Sequence, residues 1–199
     1  LQTWGYINNG FKGSAVLSAT FWEHDVFDPR GGFVRNLVGL GAVTVDMYLP
    51  SLPTVAADLG TTTAGVQLTI SGVLLGAAMG QLVMGPLSDR FGRRRPALAG
   101  IALHVVASLL CIIAPTIGLL IGLRVVQGFG NAAAGITAMA VIRDRLTGGP
   151  AARVISRLML VIGVAPLFAP TLGGLIAGAA GWRAVFAVLA AFGVVLWIA

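Results

Sequence analysis

A run of eleven residues, Gly85-Pro86-Leu87-Ser88-Asp89-Arg90-Phe91-Gly92-Arg93-Arg94-Arg95, separates two long apolar stretches and constrains the chain more than any other feature. A hydrocarbon core of roughly 30 Å needs about 20 apolar residues to cross it, so a tight loop with four arginines belongs at a membrane face. Positive charge in short loops favours the cytoplasmic side. Composition supports the same reading, because 57% hydrophobic and 10% charged residues leave too little polar surface for a soluble domain of 199 residues. The net charge of +6 is gathered beside apolar spans, which excludes nucleic acid as the expected partner and makes the lipid bilayer one. Cys111 stands alone inside an apolar run, so neither a disulfide framework nor a cysteine metal site is expected.

Apolar segments predict spans at 37–57, 64–87, 96–116, 117–142, 158–180 and 182–199, the sixth still apolar where the sequence stops. The expected fold is therefore an all-α membrane bundle of antiparallel helices joined by short linkers. Arg90, Arg93, Arg94 and Arg95 follow the second span, and Arg143, Arg145, Arg153 and Arg157 follow the fourth, whereas the loops after the first and third spans hold none. Only Arg183 falls on the opposite side. That alternation predicts a cytoplasmic N-terminus. Residues 1–36 lack apolar periodicity and a signal-peptide pattern, and no fold or site is expected of them.

Glycines recur every fourth residue at Gly72, Gly76 and Gly80 and again at Gly174 and Gly178, a spacing that predicts helix-packing seams. Pro50 and Pro53 in the first span, and Pro166 and Pro170 in the fifth, are expected to bend or break their helices.

Two ionisable residues fall inside spans, Asp46 in the first and Arg124 in the fourth. Each costs roughly 2.5 to 3.5 kcal/mol at a helix centre, so both should face the bundle interior. At 1.5 Å per residue Asp46 lies about 14 Å from Leu37 and Arg124 about 10 Å from Ile117, entering from opposite sides, so an Asp46–Arg124 pair is expected. Such a pair is open to two readings, a structural lock or a protonation switch. Desolvation favours the neutral carboxyl and a neighbouring guanidinium favours the carboxylate, so movement changes proton occupancy. Tyr48 and Gln127 stand close in sequence and supply hydrogen-bonding groups for either local packing or a substrate cavity. An intramembrane hydrolase built on Ser71 or Ser108 with His104 lacks an oxyanion-binding loop, and no phosphate-binding loop supports a nucleotide-driven pump. No enzyme is expected.

Asp46-Met47-Tyr48-Leu49-Pro50-Ser51-Leu52-Pro53, the 85–95 loop, Arg124-Val125-Val126-Gln127-Gly128, Arg143-Asp144 and the 165–174 segment together resemble signatures of the major facilitator superfamily, in its Bcr/CflA drug resistance group. The resemblance implies the N-terminal six-helix half of a twelve-helix fold, completed by a second six-helix half. It implies proton-coupled efflux of small amphipathic drugs across a bacterial inner membrane, with no cofactor and the proton gradient as energy source. Asp46 and Arg124 then serve proton coupling, and Tyr48 and Gln127 face the substrate. Gly85, Asp89, Arg90, Gly92 and Arg93 form a cytoplasmic gating motif, and Pro166, Pro170, Gly173 and Gly174 form the antiporter-motif helix, although alanine precedes both prolines where the wider family favours glycine. A metabolite or uptake carrier of the same fold, and a truncated product without transport, are the alternatives.

Overall fold

The computed structural model describes residues 32–145 and 148–198, and among these the only regular structure is helical. The helices are α1 (Gly32–Asp46), α2 (Leu52–Asp58), α3 (Thr63–Phe91), α4 (Arg94–Ile112), α5 (Ile117–Arg145), α6 (Gly148–Ala180) and α7 (Trp182–Ile198), with a 3-10 turn, Leu49–Ser51, between α1 and α2. Four of them carry stretches long and apolar enough to cross a membrane, Thr63–Phe91, Arg94–Ile112, Ile117–Asp144 and Ala151–Ala180, and α7 is a shorter apolar helix. The expected reading of residues 1–36 lies outside the described residues up to position 31; the first helix begins at Gly32, five residues ahead of the expected boundary.

Proline chemistry explains the interrupted first span. Pro50 has no N–H to donate to the carbonyl of Asp46 four residues earlier, and α1 stops at Asp46. The chain then turns through Met47 and Tyr48 and restarts as α2, with Pro53 in its first turn, where a missing donor costs nothing. Proline acts differently in α6, which runs without interruption through Pro166 and Pro170. The fifth helix also starts ten residues before its expected span, so Arg153 and Arg157 stand on its first turns and not in a loop. A helix leaving the bilayer keeps its internal hydrogen bonds in water, so span length from hydropathy underestimates helix length.

The central helix is α5. It packs against α3 along the expected seam: side chains placed at Gly76 and Gly80 would collide with the carbonyls of Val125 and Phe129, and one at Gly72 would crowd the carbonyl of Ile121. Gly128 returns the contact against the Val73 carbonyl, and Gly100 of α4 meets Gly130 of α5 in the same way. With no hydrophobic drive between helices in lipid, close backbone approach and dispersion supply the association. The second expected seam is displaced: Gly178 faces open space and Gly174 makes only ordinary contact with Pro50, while Gly173 is pressed against the Met47 backbone. Four-residue spacing gives a common helix face but does not say which of its glycines meets a neighbour. α6 thus leans on the break between α1 and α2.

Candidate functional site

Arg124 is fully buried about two turns into α5, and its guanidinium is held by neutral groups. Its Nη1 donates to Gln127 Oε1 at 2.6 Å and to the Thr44 carbonyl at 3.3 Å, with Nη2 at 3.5 Å from the same carbonyl. Aromatic faces complete the surroundings: the guanidinium carbon lies 4.5 Å from the Tyr48 ring centroid and 5.5 Å from that of Phe186. The break after Asp46 brings Tyr48 inward, where its hydroxyl accepts from Thr69 Oγ1 at 3.2 Å. Cation–π attraction grows when both partners are desolvated, reaching about 2 kcal/mol or more.

The expected Asp46–Arg124 pair does not form. Among the described residues Asp46 makes no ion pair and is half-buried at the last position of α1. Depth and azimuth are separate coordinates: residues 44 and 46 lie about 200° apart around a helix with 3.6 residues per turn. The α1 group that reaches the arginine is the backbone of Thr44. Tyr48 and Gln127 are both fully buried, the Tyr48 ring facing the guanidinium and the Gln127 amide bonded to it, which is the local-packing arrangement of the two that the sequence leaves open.

Gln127 continues the network by donating Nε2 to Ser108 Oγ at 2.7 Å. Ser108 in turn donates to the His104 carbonyl at 2.7 Å. A hydroxyl committed in this way, fully buried and one turn from His104, is not an available nucleophile. Neither Ser108 nor His104 was expected to belong to the arginine network; the 104/108 spacing on one face of α4 was the available signal.

The charged loop folds around Arg93. Its Nε donates to Asp144 Oδ2 at 2.8 Å, and its Nη1 pairs with Asp89 Oδ1 at 2.5 Å and with Ser88 Oγ at 2.9 Å. Asp144, foremost, and then Asp89 hold the guanidinium's proton more tightly than usual. Gly92 ends α3 with φ of +81°, a left-handed conformation that favours glycine. Gly85 faces open space and Arg90 lies over the Phe91 ring at 5.4 Å, outside the Asp89–Arg93–Asp144 ion pairs. Asp144, at the end of α5, completes the cluster and was not singled out as a site residue.

A second cluster at the opposite helix ends ties α2, α4 and α7 together. Arg183 pairs with Asp58 and donates Nε to the Ile112 carbonyl at 3.0 Å, while Trp182 Nε1 donates to the same Asp58 oxygen at 3.0 Å. The hydrogen bonds from Arg183 and then Trp182 hold the Asp58 carboxyl below its usual range.

Arginine clusters at both sides of a glycine-packed bundle, with an arginine at its centre, invite comparison with known proteins. The sequence profile of the Major Facilitator Superfamily matches residues 37–199. The chain belongs to the major facilitator superfamily. It is 41% identical over 159 residues to the uncharacterized transporter YdgK of Bacillus subtilis strain 168, covering 79% of this chain and 40% of that protein. A chloramphenicol resistance protein of Pseudomonas aeruginosa is 38% identical over 151 residues, covering 75% of this chain and 36% of its own length. The multidrug resistance protein MdtL of Escherichia coli O45:K1 (strain S88) is 37% identical over 160 residues, covering 80% and 41%. The chain therefore spans about two fifths of the curated relatives it matches. In fold it resembles a crystal structure of a bacterial homolog of the human lysosomal transporter Spinster, inward-facing and unoccupied, with a TM-score of 0.58 at 17% identity over 98% of this chain and 52% of that one. This is a multi-pass membrane protein carrying part of a transporter fold, in a superfamily of transporters rather than enzymes that work without a bound cofactor.

Proposed function

We propose that this superfamily member is the N-terminal half of a proton-coupled multidrug exporter of the Bcr/CflA group, set in a bacterial inner membrane with its N-terminus in the cytoplasm. The observation that carries the reading is the membrane-buried Arg124, held without a carboxylate beside the break after Asp46, where the Tyr48 ring faces the guanidinium and Gly173 meets the Met47 backbone. Asp46, half-buried at the end of α1 and outside the ion pairs found among the described residues, can exchange a proton as the two halves of the transporter rock against each other. Pro166 and Pro170 lie on the same α6 that packs onto this break, and the Arg93 cluster at the cytoplasmic helix ends gates that side. An apolar pocket of about 440 Å³ between α1 and α6, lined by Val43, Met47, Val164, Phe168 and Leu172, suits the apolar part of an amphipathic drug. The names of two relatives, for chloramphenicol and multidrug resistance, support that substrate class.

The test is chloramphenicol or ethidium export from energised cells expressing the full-length protein. Export abolished by an uncoupler and by Asp46→Asn at unchanged protein level is expected. Export that survives Asp46→Asn removes the role given to that carboxyl.

A further inference from the structure

The hydrogen-bond network leading away from Arg124 has a fixed polarity. Arginine only donates, so the Gln127 carbonyl oxygen faces it and the Gln127 amide nitrogen donates onward to Ser108. Ser108 gives its hydrogen to the His104 carbonyl. His104 Nε2 lies 3.4 Å from the Leu189 carbonyl of α7, which can only accept, and 3.4 Å from Ser108 Oγ, whose hydrogen is already given to the His104 carbonyl, so Nε2 faces two acceptors and carries the ring hydrogen. The lone pair of the neutral imidazole is then on Nδ1, which is fully buried and has no partner. Beside the ring stands Asn131 of α5, 7% exposed, with both amide atoms unpartnered. Buried polar atoms left unpaired cost roughly 1–3 kcal/mol each, and here three of them share one place.

We propose that His104 is a proton-binding residue of the bundle interior, taking its proton at Nδ1, with Asn131 serving both protonation states. A hydronium ion gives its proton to the Nδ1 lone pair: one O–H bond breaks, one N–H bond forms, water is left behind, and the positive charge passes to the imidazole. The new N–H donates to Asn131 Oδ1. In the neutral ring, a turn of the same amide presents Nδ2–H to Nδ1, so one side chain matches the site before and after protonation. Arg124 of α5 is the charged group facing the ring, α7 offers it the Leu189 carbonyl and Gly193, and on α4 itself the nearest ionisable side chain is Cys111, two turns on. His104 is joined to Arg124 through Ser108 and Gln127, which gives the exporter proposed above a second proton site linked to the arginine network. The inference rests on that reading for its purpose, while its chemistry is testable without transport.

The experiment is nitrogen-15 NMR of histidine-labelled full-length protein in nanodiscs, titrated from about pH 8 to about pH 4. His104→Gln assigns the signals, and Ser108→Ala, which perturbs the same ring, assigns them should that variant fail to fold. The expected result is an Nε2–H tautomer at high pH, loss of the unprotonated Nδ1 signal on acidification, and a midpoint lowered by about one pH unit, a tenfold weaker proton affinity, in Asn131→Leu. An Nδ1–H tautomer, an untitrating ring, or a midpoint unmoved by Asn131→Leu overturns the proposal. Loss of drug export alone would strike the export reading and leave the proton site standing.

Discussion

Arg124 and Arg93 are the same residue solved in two opposite ways. Arg93, at the helix ends, is held by two carboxylates, Asp89 and Asp144, both largely open to solvent. Arg124, buried in the bundle, is held by a backbone carbonyl, a glutamine and two aromatic faces. Water screens a surface pair, which is worth about 0–1 kcal/mol, so such a cluster can open and close at small cost. In the interior, desolvating a second ion costs several kcal/mol, and neutral dipoles disperse the charge without that penalty. The contrast separates a solvent-screened cluster that opens at small cost from a buried cation fixed in place by neutral groups.

The largest effect should come from removing the interior cation. Arg124→Leu leaves Gln127 and the Thr44 carbonyl unpaired at roughly 1–3 kcal/mol each and removes the partner of two rings. A marked drop in melting temperature in detergent and loss of export are expected. Arg124→Lys should not restore either, because a point charge cannot reach Gln127, Thr44 and the ring faces together. Recovery with lysine would mean that charge alone matters, and the contrast with Arg93 would lose its basis.

Next is the seam that holds α5 in place. Gly76→Ala puts a methyl group onto the Val125 carbonyl, whereas Gly178→Ala meets nothing. Overpacking costs typically about 1–3 kcal/mol, so thermal melts of the two variants should differ clearly. Equal melts would show that the interior is looser than the backbone contacts require.

Arg93→Ala, Asp89→Asn and Asp144→Asn should each lower stability by no more than about 1 kcal/mol. Their effect should appear in transport rate instead. A double-mutant cycle on Arg93 and Asp144 sharpens the comparison, since coupling well above that value would place this cluster with the interior rather than with the surface.

The smallest effect belongs to the opposite helix ends. Asp58 has its carboxyl held below its ordinary value of 3.8 by Arg183 and Trp182, so its contribution is present above that value and lost as pH falls through the folded-state value. Asp58→Asn should remove this acid-side component from the pH dependence of melting and change little at neutral pH. An unaltered acid limb would show that the cluster is incidental.

Much of this was legible in the sequence, for reasons that are local. Lipid demands apolar runs of a given length, tight loops collect arginine, glycine every fourth residue makes a face, and proline removes a donor; these dictated the helices, the Gly72–Gly80 seam, the Gly92 turn and the break after Asp46. What the sequence could not supply was azimuth and neighbourhood. Only the packing of α1, α4 and α7 around α5 decided that Thr44 rather than Asp46 meets Arg124, that Gly173 rather than Gly178 takes the close contact, and that Asp144, Ser108 and His104 join networks from distant positions. Those pairings are set by how helices rotate about their axes to fit one another, a choice made by side chains far apart in the chain.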